Sequence, residues 1–289
     1  MTPMMESVLA FDVGGTRIKA GVVQGSSVSS LLIEPLDEKE GADGVLSIIV
    51  RMGRHLIAEC AVTAVGISIK GIVDPQRGTI LDVKEALASC IGEPIAERLA
   101  HEFRLPTVLE NDARMYTLGE LLYGAGRTAN NLVCLTLGTG VGSGVALGRR
   151  VLRGPRGISG ILGGHITVQT DGPRCTCGNI GCLEALIGTA ALVREATIAL
   201  ATGRHSSLRD GPLTPQRIFA ASAAEDRVAR ELVQHFAELL DHGPELVGDV
   251  PVAAMFNLLR FLVERLTLIV AHAGPATEAL RVDDNALDA

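Results

Sequence analysis

The chain opens on short apolar blocks that fit extended backbone. Residues 7–13, 17–24 and 27–33 read as three strands separated by glycine and serine turns, an antiparallel start. The period then changes. Val45, Ile48, Ile49, Met52, Leu56 and Ile57 recur at helical spacing, which predicts a helix over 44–60. Strand returns at Val62–Ile69, a short helix at 93–103, strand at Leu105–Leu109 and a helix at 112–123. Leu132–Leu137 and Val141–Leu147 are two further strands joined by a glycine-rich turn. The unit strand, glycine turn, strand therefore occurs twice, at Asp12-Val-Gly-Gly-Thr16 and at Leu137-Gly-Thr-Gly-Val141. Such duplication predicts two similar α/β lobes with a cleft between them. Region 183–263 reads as mainly helical. Its clearest stretch is 225–241, where Val228, Leu232, Phe236 and Leu239 share a face, and 203–213 reads as a mobile loop.

Composition narrows the class. With 289 residues and 47% hydrophobic content the chain can bury a large core, and 33 glycines without a tryptophan suit an α/β enzyme. A net charge of −7 argues against nucleic acid as the main partner, since that affinity comes from phosphate neutralisation. No apolar run approaches the length of a membrane span, and the first residues lack the cationic and apolar regions of a secretory signal. Cys60, Cys90 and Cys134 stand singly in apolar surroundings, as reduced core thiols do, so a cytoplasmic location is expected.

The remaining three cysteines carry the strongest chemical signal. Cys175, Cys177 and Cys182 fall within eight residues, and His165 precedes them by ten. One imidazole and three thiolates are the soft tetrahedral set of a structural zinc. Chance clustering or surface disulfides are the bland alternatives, and a thiol or redox enzyme a third. A zinc there would hold His165 and Glu184 rigidly. In the first glycine turn, backbone N–H groups of Gly14 and Gly15 can approach phosphate oxygens, Thr16 adds a hydroxyl, and Asp12 could hold Mg²⁺. Gly138, Thr139 and Gly140 offer the same hardware, although either turn alone is ordinary hairpin chemistry. Asp112 follows a strand and begins a helix: it is either a cap or a general base, with Asn111 orienting the same substrate.

Taken together, Asp12-Val-Gly-Gly-Thr16, Gly66-Ile-Ser68, Glu110-Asn-Asp112, Leu137-Gly-Thr-Gly-Val-Gly-Ser-Gly144 and Gly164-His165…Cys175-x-Cys177-Gly-x-x-Gly-Cys182-x-Glu184 resemble the ROK family of bacterial sugar kinases and sugar-responsive repressors. The resemblance implies an actin-like ATPase fold of the ribonuclease H-like kind, in two lobes, taken as 1–112 and 113–289, the second with a zinc segment at 163–185 and a shortened tail. It implies ATP and Mg²⁺ at Asp12, Gly14, Gly15, Thr16, Gly138, Thr139 and Gly140. A hexose or N-acetylhexosamine would lie against Ser68, Gly71, Asn111, Asp112, His165 and Glu184, with Asp112 as base and a structural Zn²⁺ on His165, Cys175, Cys177 and Cys182. A homodimer or homotetramer is expected. With the first strand expected from residue 7, no counterpart of the repressors' DNA-binding helices is expected ahead of it.

Four features depart from that pattern. Lys70 stands where a Pro is usual, and Leu162 where a sugar-gripping Glu is expected, a loss of about 1–3 kcal/mol in binding. Arg114 replaces a small or amide residue, read as an exposed helix-surface arginine, as a cation lowering the pKa of the neighbouring base, or as a partner for an anionic group on the substrate. After a strand at Leu266–Ala271 the family's adenosine-supporting turn gives way to His272-Ala-Gly-Pro275. These departures motivate an alternative, a sugar-binding regulatory protein with weakened catalysis.

Overall fold

The structure is a computed structural model of the chain; it describes residues 7–25, 27–37, 41–155, 157–245 and 252–256. It is a mixed α/β fold whose internal contacts form two compact units, Met1–Met115 with Arg153–Ser159, and Tyr116–Leu152 with Gly160–Ala289.

The first unit is built on β1 (Ser7–Val13), β2 (Arg17–Gln24) and β3 (Ser27–Pro35), the antiparallel start that the sequence predicts. Helix α1 (Gly41–Glu59) then leads to β4 (Ala64–Ile69), which pairs parallel to β1. Between β4 and helix α2 (Ile95–Phe103) lies a short hairpin, β5 (Ile72–Asp74) and β6 (Thr79–Asp82), which the hydrophobic pattern did not reveal. Its strands are too short to show alternation. The cue was turn chemistry: Asp74 Oδ1 accepts from the N–H groups of Gln76 and Arg77 and the turn closes at Gly78. Strand β7 (Thr107–Asn111) completes the sheet order β3-β2-β1-β4-β7. The apolar stripe of α1 (Val45, Ile48, Ile49, Met52, Leu56) is buried, as are Leu9, Phe11 and Val13 of β1 and Val65, Ile67 and Ile69 of β4. Phe11 stacks on Phe103 at 6.3 Å. Alternation along β1 therefore leaves Asp12 on the opposite side from the core residues.

Helix α3 (Asp112–Tyr123) follows directly on β7. The second unit repeats the opening: β8 (Leu132–Leu137) and β9 (Val141–Leu147) form an antiparallel hairpin, extended by β10 (Arg150–Val151). Four helices come next: α4 (Leu183–Ile187), α5 (Thr189–Ala201), α6 (Pro215–Ala223) and α7 (Arg227–Glu245). They pack into a core with Leu135, Leu137, Leu183, Ile187, Ile218 and Phe236. Strand β11 (Val252–Phe256), read from sequence as part of a helical region, pairs parallel to β8 and gives the order β10-β9-β8-β11. Its Val-Ala-Ala-Met-Phe composition fits helix or buried strand equally, and the pairing decides it. The 203–213 segment is not a loose loop. Ser207–Asp210 forms a 3₁₀ turn with Leu208 buried, and Asp226 accepts from Ser206 Oγ and from both N–H and Oγ of Ser207. The strand expected at Leu266–Ala271 and the tail after it lie outside the described residues. Among the described residues no helix is long and apolar enough to cross a membrane.

Leu56 is fully buried, whereas Leu31 on the edge strand β3 is 57% exposed. Leu56→Ala should cost about 2–5 kcal/mol in denaturant unfolding, and Leu31→Ala less than about 1 kcal/mol. Equal losses would contradict this assignment of the core.

Candidate functional site

In the first unit the candidate residues gather at the carboxyl ends of parallel strands, where α/β sheets present their ligand sites. The register sets Asp12 beside Ser68 and Ser68 beside Glu110. The first glycine turn closes by Gly14 N–H donating to Arg17 O at 3.0 Å, leaving Thr16 exposed. Asp12 is ion-paired with Lys19 at 3.0 Å, a partner the motif reading missed. Antiparallel register puts the two residues directly opposite, so strand alternation across a tight turn could have found it.

Asp112 opens α3, and its Oδ1 accepts from Ala113 N–H at 2.8 Å and from Asn111 Nδ2 at 2.9 Å. The same Nδ2 donates to Gly71 O at 2.8 Å. Gly71 has φ +114°, and a Cβ there would lie 2.7 Å from Asp82 O, so the position demands glycine. Exclusion of water raises the Asp112 pKa from 3.8 to about 6. The Ala113 N–H opposes that shift, the negative charge of Asp12 adds to it and Lys70 opposes it. A carboxylate poised in this way can accept a proton near neutral pH.

Two of the readings of Arg114 need correction. Its side chain is fully buried, not exposed, and pairs with Glu110 at 3.1 Å. The Asp112 pKa is raised, not lowered, and Arg114 is not among the causes.

In the second unit the turn between β8 and β9 is closed by Gly138 N–H donating to Gly140 O at 2.9 Å, with Thr139 exposed. Glu184, in the first turn of α4, accepts at Oε2 from the N–H of Val141 at 2.9 Å and at Oε1 from Thr176 Oγ1 at 3.3 Å. It thus ties the glycine turn to the cysteine segment. Leu162 lies just before His165 and is 46% exposed.

The donor atoms of His165, Cys175, Cys177 and Cys182 all lie within 4.8 Å of one another. Cys177 and Cys182 sulfurs are 3.7 Å apart, and Cys175 Sγ is 3.6 Å from His165 Nδ1. A tetrahedral ion with bonds of about 2.3 Å to sulfur and 2.0–2.1 Å to nitrogen needs separations of roughly 3.8 and 3.5 Å. The donor set therefore fits a zinc ion, and a disulfide, with its sulfurs about 2.0 Å apart, does not describe it. All six cysteines are free. The turn depends on Gly181, at φ +64°, where a Cβ would overlap Gln169 O at 1.5 Å. Burial and the adjacent sulfurs push the Cys182 thiol up to about 11, while the Asn179 N–H holds Cys177 below its ordinary value. A bound divalent ion would displace all three thiol protons.

The profile of the ROK family matches residues 8–245. A glucokinase of Halalkalibacterium halodurans is 33% identical over 245 residues, covering 79% of this chain and 72% of that protein. A xylose repressor of Caldicellulosiruptor bescii is 30% identical over 244 residues, covering 78% of this chain and 60% of the repressor. The crystal structure of a ROK family glucokinase from Streptomyces griseus, in complex with glucose and AMPPNP, superposes with a TM-score of 0.75 at 29% identity, over 87% of this chain and 83% of that one.

Because the folded pKa of Asp112 lies above its ordinary 3.8, stability associated with this group is complete below that value and is lost as pH rises through about 6. Asp112→Asn, which cannot ionise, should therefore melt at higher temperature than the parent at neutral pH, by at most about 2–3 kcal/mol, and show no advantage near pH 3.5. Thermal melts across that range check it; a constant difference at every pH would contradict the burial of this carboxyl.

Proposed function

The chain belongs to the ROK family, and from that premise we propose that it is an ATP-dependent sugar kinase acting on a hydroxyl of glucose or a related hexose or N-acetylhexosamine. The observation that carries the proposal is the Asp112 carboxyl, held by Asn111 and Ala113 at the sheet's carboxyl edge with its pKa raised to about 6. Asp112 takes the proton of the attacking hydroxyl as that oxygen bonds to the γ-phosphorus; the bond from phosphorus to the bridging oxygen breaks and ADP leaves. Asn111 orients the sugar, with Ser68 and Gly71 beside it, while His165 and Glu184 contact further hydroxyls. Gly14 and Gly138 close the two turns through their own N–H groups, and the backbone N–H groups of Gly15 and Gly140, with the hydroxyls of Thr16 and Thr139, receive the phosphates. Mg²⁺ at Asp12 would supply charge neutralisation of the transferred phosphoryl group. The reading includes an actin-like, two-lobed arrangement about a cleft, a cytoplasmic location and a homodimeric or homotetrameric state.

His165, Cys175, Cys177 and Cys182 would hold zinc in a closed set of four protein ligands, which leaves no position for an activated water. The ion's part is structural: it fixes the segment that carries His165 and leads into Glu184. A second reading, a sugar-binding regulator without turnover, is favoured by Leu162, which can accept no sugar hydroxyl.

A coupled ADP-release assay over a hexose panel should find turnover, and Asp112→Ala should lower kcat by roughly 10²–10⁴ while sugar affinity changes little. Folded, metal-loaded protein that binds hexose in calorimetry but neither binds Mg-ATP nor turns over would establish the second reading instead. Chelation of the metal should loosen 163–185 in hydrogen exchange and abolish sugar binding; unchanged sugar affinity after verified metal loss would contradict the bracing role.

A further inference from the structure

Glu110 and Arg114 form a charge pair almost wholly out of water, with side chains 6% and 0% exposed. Such a pair is a weak source of stability, because the desolvation of both ions offsets their attraction and apolar residues of similar size serve as well. What the pair supplies is direction. The planar guanidinium offers fixed donors: Nη1 to Glu110 Oε1 at 3.1 Å, and Nη2 to the carbonyls of Gly157 at 2.7 Å and Ser159 at 2.9 Å. Glu110 Oε1, held by that guanidinium, also accepts the backbone N–H of Asn111 at 2.9 Å, and its Oε2 receives Arg153 Nε at 2.5 Å. The segment Arg153–Ser159, remote in sequence, thereby joins the first unit at the end of β7, where Asn111 and Asp112 stand.

We propose that Arg114 is a positioning residue, which through Glu110 fixes Asn111, and with it the Asp112 carboxylate, while anchoring Arg153–Ser159 by two backbone carbonyls. The chain of contacts runs from the guanidinium to Glu110, from Glu110 to the Asn111 backbone, and from Asn111 Nδ2 to Asp112 Oδ1. Without the guanidinium, Glu110 keeps only the half-exposed Arg153 as a cationic partner and turns toward it, so Asn111 loses the acceptor of its N–H. The consequence for turnover rests on the kinase reading; the anchoring does not.

The test compares Arg114→Met, which strands a buried carboxylate, with Glu110→Gln/Arg114→Met, which removes both charges and leaves the side-chain oxygen at position 110 without the guanidinium that aims it at Asn111. In the folded double variant kcat should fall roughly ten- to hundredfold with sugar KM within about threefold, the signature of misplaced groups rather than lost binding. The acid limb of kcat should move to higher pH, because the Asn111 amide that favours ionised Asp112 is no longer fixed. The other charged groups facing Asp112, Asp12 and Lys70, are untouched. Backbone amides of 153–159 should exchange hydrogen faster than in the parent. A folded double variant with parental kcat overturns the proposal, and so does a loss of kcat without faster exchange at 153–159. If the parent itself shows no turnover, the kinase reading fails, and exchange at 153–159 alone decides the anchoring. If neither variant folds, native-state exchange of the parent serves: amides of 111–114 and 157–159 should open together, and separate openings would overturn the link.

Discussion

Four soft donors crowded into one short segment are the constraint on which the second unit's site depends. The separations of 3.6 and 3.7 Å within the set match what one tetrahedral ion requires. They are reached only because the chain doubles back through Gly181, where no side chain fits against Gln169. From that fold the rest follows by short covalent steps. Cys182 caps α4, Glu184 occupies its first turn, and one carboxylate oxygen of Glu184 receives the N–H of Val141 at the end of the second glycine turn. A metal cross-link would thus act as a brace for a carboxylate and the backbone turn bonded to it.

The first unit buries a carboxyl whose pKa is raised. Parallel pairing of β1, β4 and β7 brings Asp12, Ser68 and Glu110 into one row, and α3 begins immediately beyond it. Asp112 there loses water, which raises its pKa, while two N–H donors keep it oriented. The nearby positive charge that could have undone this, Arg114, is consumed by Glu110 and two carbonyls. Placement of that cation, rather than its presence, is consistent with the raised pKa of Asp112.

Much of this was legible in the sequence. Residues whose spacing follows a period form the elements it predicts, namely the antiparallel opening, the α1 stripe and the repeated glycine hairpin, and the histidine and its three cysteines come together as their spacing suggests. What failed were features set by tertiary pairing. The β5–β6 hairpin is too short to show a period, and β11 is apolar on every residue, so only its pairing with β8 makes it a strand. Arg114 was misplaced because a charged residue in the first turn of a helix is ordinarily solvated; the carbonyls of Gly157 and Ser159 that draw it inward come from more than forty positions away. In the 203–213 segment, polar composition hid a hydrogen-bonded turn whose acceptor, Asp226, lies outside it.

X-ray absorption at the zinc edge of the purified protein is the most direct test of the brace. The account expects a first shell of three sulfurs at about 2.3 Å and one nitrogen at about 2.0–2.1 Å, with no exchangeable oxygen. A shell dominated by oxygen, or no bound zinc in folded protein, would contradict it.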